Sequence, residues 1–300
     1  MREYEAADLQ RVQQLELMIL EDFLALCRRH GLTCFGFAGT GIGAVRHKGF
    51  IPWDDDIDVG LLRPDYEAFL RYAKQELGEK YIVMNVQEDP NFPLMTTRLM
   101  LRGTKFREEA LKDIRCELGI FLDIYAFDQA SDDERQFKKQ CRDAWLFSKL
   151  LILRSIPFPV LPVRGWKAKV IHAATAVIHG AMVVCRISKR WIAGRCLEAS
   201  TRFQNAPQTR RVTYFCDTTP DMNLWEFDKL LPLQTLPFED LELPFGNGLD
   251  ESLTRMYGDY MTMPPVEQRK NHYPYQLDFG PYADIPLEQI RARSGGDKIG

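Results

Sequence analysis

Cys-x-x-Cys spacing is absent from this chain. Its seven cysteines, Cys27, Cys34, Cys116, Cys141, Cys185, Cys196 and Cys216, are scattered and odd in number. That argues against a zinc site or a disulfide framework and predicts reduced thiols, mostly buried apolar fillers. No Gly-Lys-Ser/Thr follows the glycines that begin at Gly39, so a Walker A loop is excluded, and their spacing is not that of a dinucleotide fingerprint. Internal repeats and low-complexity tracts are missing. The uncharged run Val170 to Cys185, which no other exceeds, is too short for a usual membrane span and contains His172, His179 and Gly180. The first residues, MREYEAADLQRVQ, are charged and lack an apolar segment, which predicts no secretory leader and a cytoplasmic setting.

What is present is the composition of an ordinary globular protein, 300 residues with 45% hydrophobic and 27% charged. Overall charge is −3, yet it is unevenly spread. Between Lys138 and Arg211 there are six lysines and nine arginines against one aspartate and one glutamate. This basic block sits inside an otherwise acidic chain and divides it into a core over 1–131, a basic helical insertion over 132–210, interrupted by Pro157, Pro159 and Pro162, and a closing part over 211–300.

Helical spacing of Leu9, Val12, Leu15, Met18, Phe23, Leu26 and Cys27 predicts a helix over 5–30, stopped at Gly31. Residues 34–38 read as a strand. Gly39-Thr40 then turns the chain, with Thr40 capping a short helix over 41–46 and a loop over 47–53. Residues 56–61 read as a second strand, and Pro64 opens a helix to about residue 75. Further strands are expected at 81–85, 96–101 and 119–125. The order is that of an α/β or α+β domain with a mixed sheet. The tail 293–300 reads as frayed.

Asp54, Asp55, Asp56 and Asp58 crowd beside Ile51, Trp53, Ile57 and Val59. Like charges this close repel, and a bound cation is the cheapest remedy. On a strand, Asp56 and Asp58 share a face while Ile57 and Val59 bury behind them. Two carboxylates on a rigid element suit Mg²⁺ or Mn²⁺, ions that also hold substrate phosphates. Asp123, the lone charge in GIFLDIYAF (119–127), is the best third ligand, because an unpaired carboxylate there is expensive. Asp128 reads as a turn or cap residue. The rival reading of the cluster is an exposed acidic turn before an edge strand. Amides at Gly39 and Thr40 can cradle a phosphate, although helix packing explains the glycines about as well. Arg46 offers a two-pronged bond to phosphate or carboxylate. With His47 and Lys48, it serves equally to balance the acids.

Residues 39–60, GTGIGAVRHKGFIPWDDDIDVG, resemble the signature of the LicD family of phosphotransferases, which is similar in turn to the fukutin group; Gly41 and Ile42 stand where two leucines are usual. RLMLRGTKF (98–106) is similar to the family's central strand and turn, and GIFLDIYAFD (119–128) to its F-I-D-I-F-P-L-D strand, with Ala126 replacing proline. Residues 231–265, with YGDYM and a double proline, and RKNHY (269–273) resemble its C-terminal segments. The resemblance implies a nucleotidyltransferase-like fold in which Gly39-Thr40 is the turn, Asp56 and Asp58 the acid pair and Asp123 the third acid. It also implies transfer of a phospho-alcohol, such as phosphocholine or ribitol phosphate, from a CDP-linked donor to a glycan.

On that reading Asp56, Asp58 and Asp123 hold one or two ions, and Asp54 or Asp56 takes the hydroxyl proton. Gly39, Thr40, Arg46 and Lys48 steady phosphates, with Arg98 and His272 as further phosphate or acceptor contacts. Two rivals are a true nucleotidyltransferase acting on a sugar or alcohol phosphate and an inactive glycan- or nucleotide-binding module. The block 138–211, in which Trp145, Phe147, Leu150, Leu151, Ile156, Phe158, Trp166 and Trp191 interleave with charge, reads either as solvated helices or as a docking face for an anionic membrane or lipid-linked acceptor. No nucleic-acid motif is present.

Overall fold

Leu15, Met18, Ile19, Phe23 and Leu26 form one buried stripe of α1 (Ala6–His30). Gly31, at φ 64°, ends the helix; its N–H reaches Arg28 O and the N–H of Leu32 reaches Cys27 O. The computed structural model describes residues 4–160, 165–206, 209–217 and 219–293. The expected fraying at 294–300 and Pro162 lie outside them.

After α1 come β1 (Cys34–Gly36), α2 (Ala38–Ile42), which runs on as a π-helical turn over Gly43–His47, β2 (Asp58–Leu62), α3 (Arg63–Glu76), β3 (Tyr81–Met84), β4 (Thr97–Leu101), β5 (Lys105–Glu108) and β6 (Phe121–Ala130). Three helices follow, α4 (Glu134–Ser155), α5 (Trp166–Val184) and α6 (Lys189–Ser200). The chain closes with β7 (Arg211–Thr213), β8 (Trp225–Glu226), α7 (Phe227–Leu230), β9 (Gln234–Phe238), β10 (Leu241–Phe245), α8 (Leu249–Tyr257), β11 (Pro274–Asp278) and α9 (Leu287–Ile290). The sheet runs β3-β4-β6-β2-β1-β10-β9. β2 is parallel to β6 and β1 to β10, the other pairs being antiparallel. This is the mixed α/β sheet with flanking helices that the order of elements implied.

Two registers position the site. Asp58 stands opposite Asp123 across β2–β6, and Asp123 opposite Arg98 across β6–β4. Register partners point to the same face, so three charged side chains form a row across three adjoining strands. Ile57, Val59, Leu122 and Ile124 alternate with them and are fully buried.

Local details differ from the sequence reading, for physical reasons. β2 begins at Asp58, not Asp56. On one side β1 gives way to α2 after Gly36, and only the N–H of Phe37 still reaches Asp58 O; on the other, the last contact is Asp123 N–H to Ile57 O. Asp54 to Ile57 therefore approach without a ladder. α2 begins at Ala38, which takes φ 51°, so Thr40 lies inside the helix instead of capping it. Its Oγ1 accepts the N–H of Asp58 at 2.8 Å and fastens the helix to the strand. Gly43 is required by close approach, because a β-carbon there would lie 2.3 Å from Gly49 O. Asp128 is not a turn residue. It is buried on β6, and Arg63 Nε and Nη2 hold its two oxygens at 2.6 Å each.

Asp133 caps α4 by accepting from the N–H groups of Arg135 and Gln136, and Ser188 caps α6. Fully buried Gln140 on α4 donates to Ser200 O and Gln129 O, tying the helices to the end of β6. Of the interleaved apolar residues, Leu151 is buried and Phe147, Leu150 and Ile156 are half-buried; Trp145, Phe158, Trp166 and Trp191 are exposed.

Candidate active site

The row of Asp58, Asp123 and Arg98 opens into a cleft of about 380 Å³, which Asp56, Glu108, Tyr125 and His272 also line. A larger surface cleft of about 920 Å³ beside α3 and β3 gathers charge too, but Lys80 there pairs with Asp22 and Lys74 with Glu88. In the smaller cleft carboxylates outnumber cations, Asp56, Asp58, Glu108, Asp123 and Asp217 standing against Arg98 and His272.

Burial, then Asp56 and Asp123, push the Asp58 carboxyl well above the usual carboxylate range. Asp123 is raised to about 6 by burial, with Arg98 opposing and Glu108 adding. Asp54 is raised by burial, Asp56 and Asp55. Asp56 is raised by burial against the pull of His272. Asp58 Oδ1 is buried with no hydrogen-bond partner. Crowded oxygens that raise one another, one of them orphaned, fit a divalent cation: it would supply the missing partner and reverse the repulsion.

Asp54, Asp56 and His272 offer ligand atoms within 4.8 Å of one another, the one such group among the described residues. His272 Nδ1 lies 3.2 Å from Asp56 Oδ2 and 3.5 Å from Asp55 Oδ1. Although burial opposes it, Asp56 and Asp55 hold the imidazolium well above the ordinary range of histidine. His272 therefore stands among the acids as a countercharge, and its ring nitrogen is also within reach of a cation shared with Asp54 and Asp56.

The remaining predicted residues are placed differently. Gly39 lies against Asp54; a β-carbon there would be 3.4 Å from Asp54 Oδ2. Arg46 donates to Tyr260 O at 2.5 Å and to His47 Nε2 at 2.9 Å, so it braces the C-terminal segment. Lys48, at φ 61°, closes the π-helical turn, and its carbonyl accepts from Glu239 N–H. Arg98 is spent within the protein: Nε donates to Asp123 Oδ1 at 3.1 Å, Nη1 to Glu108 Oε2 at 3.0 Å, and its guanidinium lies 3.7 Å from the Phe121 ring centroid. It orients Asp123.

Glu108, Tyr125, Tyr257 and the hydrogen-bonded pair Asn223–Asp217 line the cleft without having been anticipated. Only Tyr125 carried a signal, the two-residue step from Asp123 along one strand. Beneath the acids lies Glu16 of α1, 1% exposed, with both oxygens unpartnered. Burial, Asp56 and Asp55 push its carboxyl up, which favours the neutral form. Asp55 is a latch: fully buried, it accepts from Tyr4 Oη at 2.6 Å and from His272 N–H at 2.7 Å. Asp55→Ala leaves both donors unmatched and should destabilise the fold by about 3 kcal/mol, with faster amide exchange around His272. A loss too small to detect in urea unfolding would remove the latch role.

Residues 31–127 match the family described as LicD/FKTN/FKRP, nucleotidyltransferase domain. The Haemophilus influenzae lipopolysaccharide cholinephosphotransferase LicD is 29% identical over 274 residues, spanning 88% of this chain and 95% of that protein. An uncharacterized protein of Rickettsia typhi is 35% identical over 57 residues, 19% of this chain and 18% of that one. A terminal uridylyl transferase 4 structure from Trypanosoma brucei with bound UTP superposes with a TM-score of 0.21 at 12% identity, covering 62% of this chain and 74% of that one, too loosely for anything to rest on it.

Proposed function

We propose that this chain, which belongs to the LicD family, transfers a phospho-alcohol of phosphocholine or ribitol-phosphate type from a CDP-linked donor to a hydroxyl of a cell-envelope glycan, such as lipopolysaccharide or teichoic acid. The observation that carries this reading is the register of Asp58 opposite Asp123, with Asp56 facing the same cleft.

Asp56, Asp58 and Asp123 would hold one or two Mg²⁺ or Mn²⁺ ions, which when bound neutralise charge on a diphosphate and its leaving monophosphate. Arg98 keeps one oxygen of Asp123 engaged and so fixes the direction of the other. The acceptor hydroxyl attacks the phosphorus that carries the alcohol. A new oxygen–phosphorus bond forms, the bond to the bridging oxygen breaks, and CMP leaves. Asp54, raised by burial and then by Asp56 and Asp55, and within 4.8 Å of the Asp56 and His272 ligand atoms, takes the hydroxyl proton. On this reading the protein works on the cytoplasmic side, at an anionic membrane surface met by 138–211, without a nucleic-acid partner.

Incubation with labelled CDP-choline, Mg²⁺ and a glycan acceptor should release CMP and label the glycan, and EDTA should stop both. Pyrophosphate release from CTP and phosphocholine would instead establish nucleotidyl transfer. Binding of donor without turnover would leave a binding module.

A further inference from the structure

The polarity of α5 is inverted. The stripe it turns toward α4 consists of His172, Thr175, His179 and Met182, of which Thr175 and Met182 are buried. Thr175 Oγ1 donates to Pro157 O at 3.0 Å, and His179 Nδ1 lies 2.8 Å from Leu153 O. Met182 joins Leu151 and Ile192 in a small apolar cluster. Away from this stripe the exposed side chains are large and apolar: Trp166 is 71% exposed, Val177 72% and Val184 81%, with Val170, Ile171, Ile178 and Val183 beside them. A helix facing water has the opposite arrangement, and contiguous apolar surface of this extent marks contact with an apolar medium.

Charge selects the medium. Lys167 and Lys169 precede the uncharged run Val170–Cys185, and Arg186 follows it. Arg190 and Arg195 are exposed on α6, and α5 has no acidic residue. A second copy of the chain would bring the same basic block against itself, whereas an anionic bilayer complements it. Exposed Trp145, Trp166 and Trp191 are suited to the headgroup boundary. Among the described residues no single helix is long and apolar enough to cross a membrane, and α5 meets α6 at a bend of 108°.

We propose that α5 is an in-plane membrane anchor, its apolar surface seated at the acyl boundary of an anionic bilayer and the basic residues around it among the headgroups. The anchor deepens the functional reading above, and its link to a lipid-linked glycan acceptor rests on that reading. The cluster holding Met182 includes Val86 and Met95, and Lys189 Nζ donates to Asn91 Oδ1 at 3.3 Å. The same segment carries Leu94 and Thr96, which line the cleft. The anchor thus braces one wall of the site.

The test is co-sedimentation of the full chain with vesicles of phosphatidylcholine alone or with about 30 mol% phosphatidylglycerol. The protein should pellet with the anionic vesicles at low salt. Val170→Asp combined with Val177→Asp should weaken that binding about tenfold or more, with helix content and CMP release to a soluble acceptor unchanged. Lys167→Gln with Lys169→Gln should weaken binding and flatten its salt dependence. No binding by the wild type, or equal binding by the double aspartate variant, overturns the anchor; so does a dimer in sedimentation equilibrium that the aspartates dissociate without affecting vesicles. Vesicle binding is read without turnover, so failure of CMP release would count against the transferase reading and leave the anchor standing.

Discussion

Asp58→Asn and Asp123→Asn each lower kcat for transfer by about a thousandfold or more while the fold persists. The expectation follows from what the two carboxylates do to one another. They face each other across parallel strands, and burial raises both. Asp58→Asn removes a repulsion, so that variant without metal should be as stable as the wild type or more so; Asp123→Asn also gives up the bond from Arg98, whose guanidinium keeps Glu108. What should disappear is the stabilisation that Mg²⁺ would confer by binding the folded state, read as a rise in Tm with added ion. Loss of activity and loss of the Mg²⁺-dependent shift should therefore occur together. A variant retaining activity within tenfold of wild type, or an unchanged Mg²⁺ shift, would remove that residue from the ion-binding set.

Strand parity and the cost of a lone buried charge, both local arguments, pointed to Asp56, Asp58 and Asp123; the structure brings the three to one cleft, although Asp56 precedes β2 and the parity argument does not hold for it. The position of His272 was not legible as a countercharge. It depends on the chain returning to donate an N–H to Asp55, a contact 217 residues apart in sequence. Arg46 makes its hydrogen bonds where proximity in sequence gives no hint, donating to Tyr260 O from 214 residues away. Helix packing, the structural explanation of the glycines, is met at Gly41 by Leu249 and at Gly43 by Gly49, whose nearness only the tertiary fold creates. In the middle of the chain, charge and tryptophan content left solvated helices and a membrane-docking face equally open, and the reversed polarity of α5 became visible only once its inward stripe was known.

Asp128 shows how costly the same blindness is for stability. It follows an apolar strand, which made it look like a terminus, yet β6 continues to Ala130 and pairs with β7 there. Its partner Arg63 opens α3 directly after β2, and the guanidinium also lies 5.0 Å from the Tyr66 ring centroid. Tyr66 in turn shares a 2.5 Å hydrogen bond with Thr97, the neighbour of Arg98 on β4. Removing one member strands the other charge away from water, so Arg63→Ala and Asp128→Ala should each destabilise the protein by about 3–5 kcal/mol. Replacing both, as Arg63→Met with Asp128→Leu, should restore most of that loss, because a packed apolar pair removes the need to desolvate two ions. Urea midpoints of the three variants decide the matter. If the double variant is as unstable as the singles, the pair is holding α3 against β6 by its two-pronged geometry and not merely neutralising itself. The loss should then extend through Tyr66 and Thr97 to Arg98 and appear as a lowered kcat in any double variant that still folds.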